Sequence, residues 1–200
     1  MKLNLGCNDD VRTGYVNVDC APGPGVDQVA DLNERWPWED SSVDEIFAHD
    51  VFEHIFGYAG ILDLGGRWRH DRVPGKIWAL NEAWRVLKPG GLLDLAVPSV
   101  YLADGRINPG AFADPTHVTY WTLDDAFYFG AQFNRPEFER GRLGPAYGIA
   151  ALFEFPIADE SATGWHFHSR KPPQLCWELR QYGRGNQIRA KIHGYLRAVK

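Results

Sequence analysis

The sequence predicts one α/β domain whose strands form a mostly parallel sheet. Short apolar segments that each end at a glycine or a polar residue alternate with loops and an amphipathic helix, as in proteins of this class. With 200 residues, 44% of them hydrophobic and 24% charged, the chain can bury a core of its own. We therefore expect one domain over residues 1–200 and exclude disordered, fibrous and coiled-coil classes.

The strands come first along the chain. Leu3 and Leu5 precede a glycine in the first segment, and the second segment ends at Asp19. These patterns predict strands at residues 2–6, 15–19, 29–31 and 43–49, and the last of them passes into a helix through DVFEHI.

A helix and a fifth strand follow. Apolar residues recur three or four positions apart over residues 76–88 and give this helix one apolar face: Ile77, Leu80, Ala83, Trp84 and Leu87. KPGG ends the helix, and LLDLAVP predicts a strand over residues 92–98. Thr122 and Asp125 form a capping box for a helix through about residue 133, and β-like stretches lie near 149–157 and 188–199.

Two segments, residues 57–75 and 100–121, are long for connections within a compact domain, and we treat them as insertions. Loops that leave the carboxyl ends of parallel strands border the ligand crevice of an open α/β sheet. We therefore expect both insertions to contribute to substrate recognition.

Gly6 and Asp19 are the first candidate site residues. A glycine directly after the first strand lets the backbone approach a ligand closely, and an acid at the end of the second strand can accept both hydroxyl protons of a ribose. A turn glycine and a loop-capping aspartate would look the same in sequence, so the pair alone does not establish a site.

Four segments in order give that pair a context: LNLGCN, GYVNVD, SVDEIFAHDVFEHI and RVLKPGG. Together they resemble the small class I S-adenosylmethionine-dependent methyltransferases of the type 11-like group, over about the first half of the chain. The resemblance implies a Rossmann-like, doubly wound, mostly parallel seven-stranded sheet. Where that family has a G-x-G loop, this chain has Asn4, Gly6 and Asn8, and the short spacing to Asp19 leaves little room for a helix.

The resemblance implies S-adenosyl-L-methionine as the cofactor and assigns its contacts to residues at the ends of the first four strands. These are Gly6 and Cys7 for the methionine part, Asp19 for the ribose, Asp31 and Leu32 for the adenine, and His49 and Asp50 beside the sulfonium. Replacing Asp19 by alanine is accordingly expected to abolish cofactor binding.

Residues 102–129 resemble a DGR, GAF, DPTH series in a subgroup of these methyltransferases. His117 is the candidate general base, because an imidazole accepts protons near neutral pH, with Asp114 or Asp104 to orient it. A structural histidine bonded to the loop backbone is the alternative. The residues expected to bind the acceptor are Asp104, Arg106 and Trp121.

No metal site is predicted from the sequence. His49, Glu53 and His54 miss the helical H-x-x-E-H and H-E-x-x-H spacings of zinc enzymes. The three cysteines have no C-x-x-C spacing and indicate free thiols.

Charge is spread unevenly along the chain. Residues 1–160 hold 13 Lys and Arg against 25 Asp and Glu, a net of −12, whereas residues 165–200 hold 8 against 1, a net of +7. The basic segment is favoured as a solvated face that offsets the acidic body, and a nucleic-acid partner is the alternative. Because no apolar stretch reaches the ~18 residues of a bilayer span and no signal-peptide pattern opens the chain, we expect a cytoplasmic protein without a membrane partner.

The leading hypothesis is a methyltransferase that acts on an oxygen or nitrogen atom of a small-molecule or carbohydrate-like acceptor. Two alternatives keep the same fold: a non-catalytic protein that binds the cofactor or another nucleoside, and a nucleic-acid methyltransferase. An NAD-dependent oxidoreductase is disfavoured, because the G-x-G-x-x-G fingerprint of dinucleotide sites is missing.

Overall fold

The structure, a computed structural model, describes residues 1–57, 73–131, 147–154, 158–161, 164–168, 175–184 and 187–200. Its strands are β1 (Lys2–Leu5), β2 (Val16–Asp19), β3 (Gln28–Val29), β4 (Val43–His49), β5 (Leu87–Pro98), β6 (Phe153–Glu154), β7 (Ala158–Ser161), β8 (Gly164–His168), β9 (Cys176–Arg184) and β10 (Gln187–Ala198). Its α-helices are α1 (Gly75–Val86) and α2 (Ala126–Phe129), and 3-10 turns lie at Phe52–His54, Pro109–Ala111 and Leu123–Asp125.

The first five strands form the parallel half of the sheet. They stand in the order β3-β2-β1-β4-β5, and each neighbouring pair is parallel. The chain moves outward from β1 to β3 and then returns to the other side of β1 at β4, so the winding reverses between these two strands. This arrangement confirms the expected α/β class.

The other half of the sheet is antiparallel. β10 pairs with β5, β9 and the short β6, and β8 and β7 continue the sheet beyond β9. In the described part of the chain the sheet has ten strands, where the resemblance implies seven. β9 and β10 bring the five parallel strands to seven, and the short β6, β7 and β8 are the three additional strands.

Loops replace helices in the first crossovers. Within residues 1–57 no α-helix connects β1 to β2 or β2 to β3, as the short spacing indicated. The crossover from β4 to β5 does carry a helix, α1, which buries Trp78, Leu80 and Ala83 against the sheet. Residues 58–72 of the first predicted insertion lie outside the described residues.

The predicted capping box is present, but its helix is shorter than expected. The backbone N–H of Thr122 donates to the Asp125 carboxylate at 2.9 Å. A 3-10 turn and α2 follow, and the helix ends at Phe129, before Gly130. None of the helices in the described part of the chain is both long and apolar enough to cross a bilayer.

Candidate functional site

A cavity of about 300 Å³ lies at the carboxyl edge of the parallel strands, where the winding reverses. We call it the switch-point cavity. Its lining includes Gly6 after β1, Asp19 at the end of β2, Asp31 and Leu32 after β3, and Asp50 after β4. Open α/β sheets bind nucleotides and related ligands at this position.

Gly6 brings backbone to the surface of the switch-point cavity. Its φ is +61°, and a Cβ at this position would lie 2.5 Å from Cγ2 of Val51. Asn8 and Asp50 also have positive φ values, +38° and +56°. The loop after β1 therefore turns through Asn8 where the methyltransferase pattern has a second glycine.

The Asp19 carboxylate is charged and can accept hydrogen bonds from a polar ligand. Its Oδ2 accepts a hydrogen bond from the backbone N–H of Asn8 at 2.9 Å. Burial alone would raise the pKa of Asp19, but hydrogen bonds from Asn8, Cys20 and Ala21 outweigh it and lower that pKa. Asp19 is therefore charged at neutral pH and retains lone pairs that ligand hydroxyls can use.

Side chains of α1 hold the segment around Leu32, which forms one wall of the switch-point cavity. The Leu32 carbonyl accepts hydrogen bonds from the indole N–H groups of Trp36 at 3.1 Å and Trp78 at 2.9 Å. Glu82 on α1 is 4% exposed, accepts from the Trp36 backbone N–H at 2.9 Å and pairs with Arg85 at 2.7 Å. A buried network therefore determines where this wall stands.

A second cavity, of about 520 Å³, adjoins the first. It lies beyond Pro98 at the end of β5, between residues 108–117 and the start of β10, and we call it the loop cavity. The two cavities share Asp50 and His54, and Lys191 of β10 pairs with Asp50 in their common wall. Part of the insertion at 100–121 thus lines a cavity next to the switch point.

His117 and Asp114 both line the loop cavity, but Asp114 does not orient the imidazole. Asp114 Oδ2 is 3.9 Å from His117 Nε2, too far for a hydrogen bond, and Asp114 Oδ1 accepts from the Thr116 hydroxyl at 2.6 Å. His117 Nδ1 instead lies 2.9 Å from the Ala111 carbonyl. Because a carbonyl only accepts, Nδ1 carries the proton and Nε2 of the neutral ring keeps its lone pair.

Glu53, His54 and His117 form a cluster in the loop cavity. One potential ligand atom from each lies within 4.8 Å of the others, and the two imidazole centroids are 4.9 Å apart. Glu53 is 1% exposed, and neither carboxylate oxygen has a hydrogen-bond partner among the described residues. Burial, assisted by the negative charge of Asp50, raises the pKa of Glu53 to about 8.

Five of the predicted site residues line neither cavity: Cys7, His49, Asp104, Arg106 and Trp121. Cys7 is 1% exposed and Trp121 is fully buried, so both pack in the interior and offer no surface to a ligand. Asp104 and Arg106 are exposed and pair with each other at 2.7 Å.

His49 also lies outside both cavities. Its Nε2 lies 2.8 Å from Oδ1 of Asp94, and its ring stacks near Phe47, two positions earlier in β4. Alternate residues of a strand share a face, so His49 follows Phe47 to the face away from both cavities. Asp50, whose φ is +56°, is the residue that lines the cavities.

The site also contains residues that the sequence analysis did not assign to it: Glu53, His54, Tyr182, Arg189 and Lys191. A signal for Glu53 was present, because an acid stands among the apolar residues of DVFEHI. Its histidine partner His117 is far away in sequence, so a search for short metal-binding spacings could not find the cluster.

No protein-family model matches the chain, and no curated protein matches it. Solved structures are similar. All of the chain aligns with 82% of a chain in the complex between the Haloferax volcanii Trm112 methyltransferase activator and the putative methyltransferase, with a TM-score of 0.50 and 11% identity. A putative methyltransferase from Bacillus halodurans has a TM-score of 0.49 and 14% identity, and the alignment covers 100% of this chain and 91% of that chain. A structure of S-adenosylmethionine-dependent methyltransferases from Methanosarcina mazei has a TM-score of 0.45 and 15% identity, and the alignment covers 100% of this chain and 92% of that chain.

The likeness to the Haloferax volcanii complex shows the fold alone at this identity. The chain has the Rossmann-like α/β fold of class I methyltransferases. What the site can do must be argued from its own residues.

Proposed function

We propose that the protein is an S-adenosylmethionine-dependent methyltransferase that modifies an oxygen or nitrogen atom of a small-molecule or carbohydrate-like acceptor. The observation that carries the proposal is the adjacency of the two cavities, which share Asp50 and His54. An in-line displacement needs two ligands side by side in fixed orientation, and adjoining cavities provide that arrangement.

The residues of the switch-point cavity fit the cofactor. Backbone at Gly6 occupies a place where a Cβ would collide with Val51, and the charged Asp19 carboxylate suits ribose hydroxyls. When bound, S-adenosylmethionine supplies an electrophilic methyl carbon: the bond from the acceptor atom forms as the carbon–sulfur bond breaks, and that electron pair stays on sulfur.

The residues of the loop cavity would hold the acceptor and receive its proton. In the neutral ring of His117 the hydrogen bond to Ala111 leaves Nε2 unprotonated, so this nitrogen can accept the proton of a hydroxyl or amine. Arg189 and Lys191 line the same cavity together with the acids Asp50, Glu53 and Asp114. This mixed polar lining favours an acceptor that carries several hydroxyl groups.

Calorimetry with S-adenosylmethionine and S-adenosylhomocysteine tests the proposal. The resemblance implies that Asp19→Ala abolishes binding, and the hydrogen bonds lost set the smallest effect: because hydrogen bonds to a charged group are worth about 1.5 to 3 kcal/mol, binding of both ligands should weaken by at least ~10- to 100-fold. Asp9→Ala is the matched control, since this exposed acid lies in the same loop and lines neither cavity. If Asp19→Ala binds like the wild-type protein, the switch-point cavity is not the cofactor site.

Turnover needs a separate measurement, because binding alone does not distinguish an enzyme from a binding protein. Cell extract incubated with the protein and methyl-labelled cofactor should yield a labelled product. Binding without any labelled product would favour the non-catalytic alternative.

A further inference from the structure

Glu53 is the group in the loop cavity that the proposed methyl transfer leaves unexplained. A buried carboxylate normally accepts several hydrogen bonds or pairs with a cation, because burial removes its hydration. Glu53 is 1% exposed, and both of its oxygens lack a hydrogen-bond partner in the described part of the chain. Of the charged groups that act on it, Asp50 raises the pKa of Glu53 and Lys191 lowers it, but neither Glu53 oxygen has a hydrogen bond from a described cation. Within the described residues the carboxylate therefore lacks a directly bound positive partner.

His54 has a free lone pair beside Glu53. Its Nδ1 lies 3.3 Å from the Thr116 carbonyl and 2.9 Å from the Thr116 hydroxyl, and that hydroxyl donates to Asp114 at 2.6 Å. Both Thr116 groups therefore accept from His54, so in the neutral ring Nδ1 carries the proton and Nε2 keeps its lone pair.

The two histidines are thus held in the same way. His117 donates through Nδ1 to the Ala111 carbonyl, as His54 does to Thr116. Histidines that bind metals almost always donate their other ring N–H to a carbonyl, a carboxylate or water, which fixes the tautomer and the ring orientation. Both rings of the cluster meet this condition.

Backbone hydrogen bonds fix the relative position of the cluster members. The Glu53 carbonyl accepts from the backbone N–H groups of Val118 at 2.8 Å and Thr119 at 3.1 Å. The Thr119 hydroxyl donates to the Phe52 carbonyl at 3.0 Å. The turn at 52–54 and the segment that carries His117 are therefore joined directly after His117, and such a preformed site needs little rearrangement to bind a ligand.

We propose that Glu53, His54 and His117 bind one divalent transition-metal ion of the zinc type. Two imidazoles and one carboxylate are a ligand set of catalytic zinc sites, in which a fourth position stays open for water or substrate. Mg²⁺ and Ca²⁺ prefer oxygen ligands, so this set favours a metal of intermediate softness. The ion would also supply the positive partner that the Glu53 oxygens lack.

The metal site narrows the class of acceptor, and this step rests on the proposed methyl transfer. An acceptor hydroxyl that coordinates the ion loses its proton to solvent more readily, because the cation stabilises the resulting oxyanion. That oxygen then forms its bond to the methyl carbon while the carbon–sulfur bond breaks and sulfur keeps the electron pair. The acceptor is therefore a hydroxyl compound, and His117 acts as a ligand in place of a base.

Metal binding is tested on metal-stripped protein, by calorimetry with Zn²⁺ and by visible absorption with Co²⁺. The wild-type protein should bind one ion, and Glu53→Gln and His54→Ala should each weaken Zn²⁺ binding about 100-fold or more. Glu53→Gln keeps the shape of a neutral carboxylic acid, so it tests whether the charged carboxylate is needed. His193→Gln, which removes a histidine outside the cluster, should bind Zn²⁺ like the wild-type protein.

Two outcomes would overturn the metal site: no Zn²⁺ binding by the wild-type protein, or unchanged affinity in the cluster variants. Thermal melts show whether each variant folds. If Glu53→Gln does not fold, His117→Ala, a substitution in a loop, replaces it as the cluster variant whose Zn²⁺ affinity is measured. The Co²⁺ spectrum of the wild-type protein reports imidazole ligation without any variant.

The affinity for S-adenosylhomocysteine separates this inference from the proposed function. Metal-stripped protein should bind that ligand within about twofold of loaded protein, because the cluster contributes only His54 to the lining of the switch-point cavity. Zn²⁺ binding at the cluster without S-adenosylhomocysteine binding would overturn the proposed function and leave the metal site intact. The reverse result would overturn the metal site alone.

Discussion

Gly6 is constrained at the switch-point cavity in two independent ways. Its backbone is left-handed, which is costly for any residue with a Cβ. The Val51 side chain also lies where a Cβ at position 6 would stand, so a methyl group does not fit there. Gly105 has only the first constraint: its φ is +81°, and nothing lies within 4 Å of an added Cβ.

Gly6→Ala should therefore lower the melting temperature more than Gly105→Ala. Both variants pay ~1 to 2 kcal/mol for the left-handed backbone, which corresponds to roughly 2 to 4 °C per kcal/mol in a chain of this size. Only Gly6→Ala adds the contact with Val51 and should also weaken S-adenosylhomocysteine binding. Thermal melts and calorimetry measure both effects, and equal losses would show that Val51 moves aside without cost.

Gly6 and Asp19 were predictable because they stand at the ends of strands that the local sequence reveals. Asp31 was assigned only through the resemblance, and all three line the switch-point cavity. The contact of His54 with His117 has no local signature, because it depends on a loop folding back onto another turn. The sequence also could not distinguish His49 from Asp50, since the positive φ of Asp50 breaks the alternation at the end of β4.

At the scale of elements, α1 holds the loop that forms the Leu32 wall. Arg85 on α1 donates to the carbonyls of Trp36 at 3.0 Å and Trp38 at 2.9 Å, and Glu82 joins that guanidinium to the Trp36 backbone N–H. The helix thus does more than cover the sheet, because it determines the width of the switch-point cavity.

Glu82→Gln should destabilise the protein by about 1.5 to 3 kcal/mol, the value of hydrogen bonds to a charged group, since it removes a buried carboxylate from Arg85. Weaker S-adenosylhomocysteine binding should accompany the loss, because the Leu32 wall is no longer held. Urea denaturation and calorimetry provide the two measurements, with exposed Glu34→Gln as the control. A change in Glu82→Gln no larger than in the control would contradict this role of the network.

The parallel strands were predictable from their apolar segments, whereas part of the antiparallel half was not. β7 reads ADES and has no alternation of apolar and polar residues. KPGG was expected to lie between α1 and the fifth strand, but β5 begins at Leu87 and includes it. Val43 pairs with Leu87 and Glu45 pairs with Leu92, so the KPGG residues bulge out between these two pairings. Gly90 supplies the positive φ, +78°, that this bulge requires.

At the scale of the whole molecule, cations of the basic C-terminal segment contact groups of the acidic body. Lys191 pairs with Asp50, and Arg197 pairs with Glu154 at 2.9 Å. Lys200 donates to the Arg85 carbonyl at 2.8 Å. These contacts are consistent with a basic segment whose positive charge offsets the negative charge of the acidic body. A nucleic-acid partner stays a prediction, and its test is whether binding of nucleic acid weakens steeply as the salt concentration rises.

His193 should make stability depend on pH. Burial, with the nearby positive charge of Arg180, lowers the pKa of His193 to about 4. The unfolded chain, with an ordinary histidine pKa of ~6.5, therefore binds more protons between those values, and stability falls as pH falls through this window. The wild-type protein should thus lose unfolding free energy relative to His193→Gln as pH falls from about 7 to about 5.

Urea denaturation of both proteins across this range measures the difference between them. Aspartates with lowered pKa values, such as Asp19 and Asp40, lose their contribution below about pH 4 and act equally in both proteins. The other charged groups around His193, namely His49, Asp94 and Lys191, are also common to both. Parallel stability curves would show that His193 titrates normally in the folded state.

The order of the strands determines the sequence in which the molecule can be assembled on the ribosome. β10 lies in the middle of the sheet, between β5 and β9, although it comes after all the other described strands along the chain. A nascent chain can close the switch-point cavity from residues 6–55, but the Lys191 wall of the loop cavity arrives only with β10. Until β10 is in place, β5 presents an unpaired strand edge, and such an edge favours aggregation.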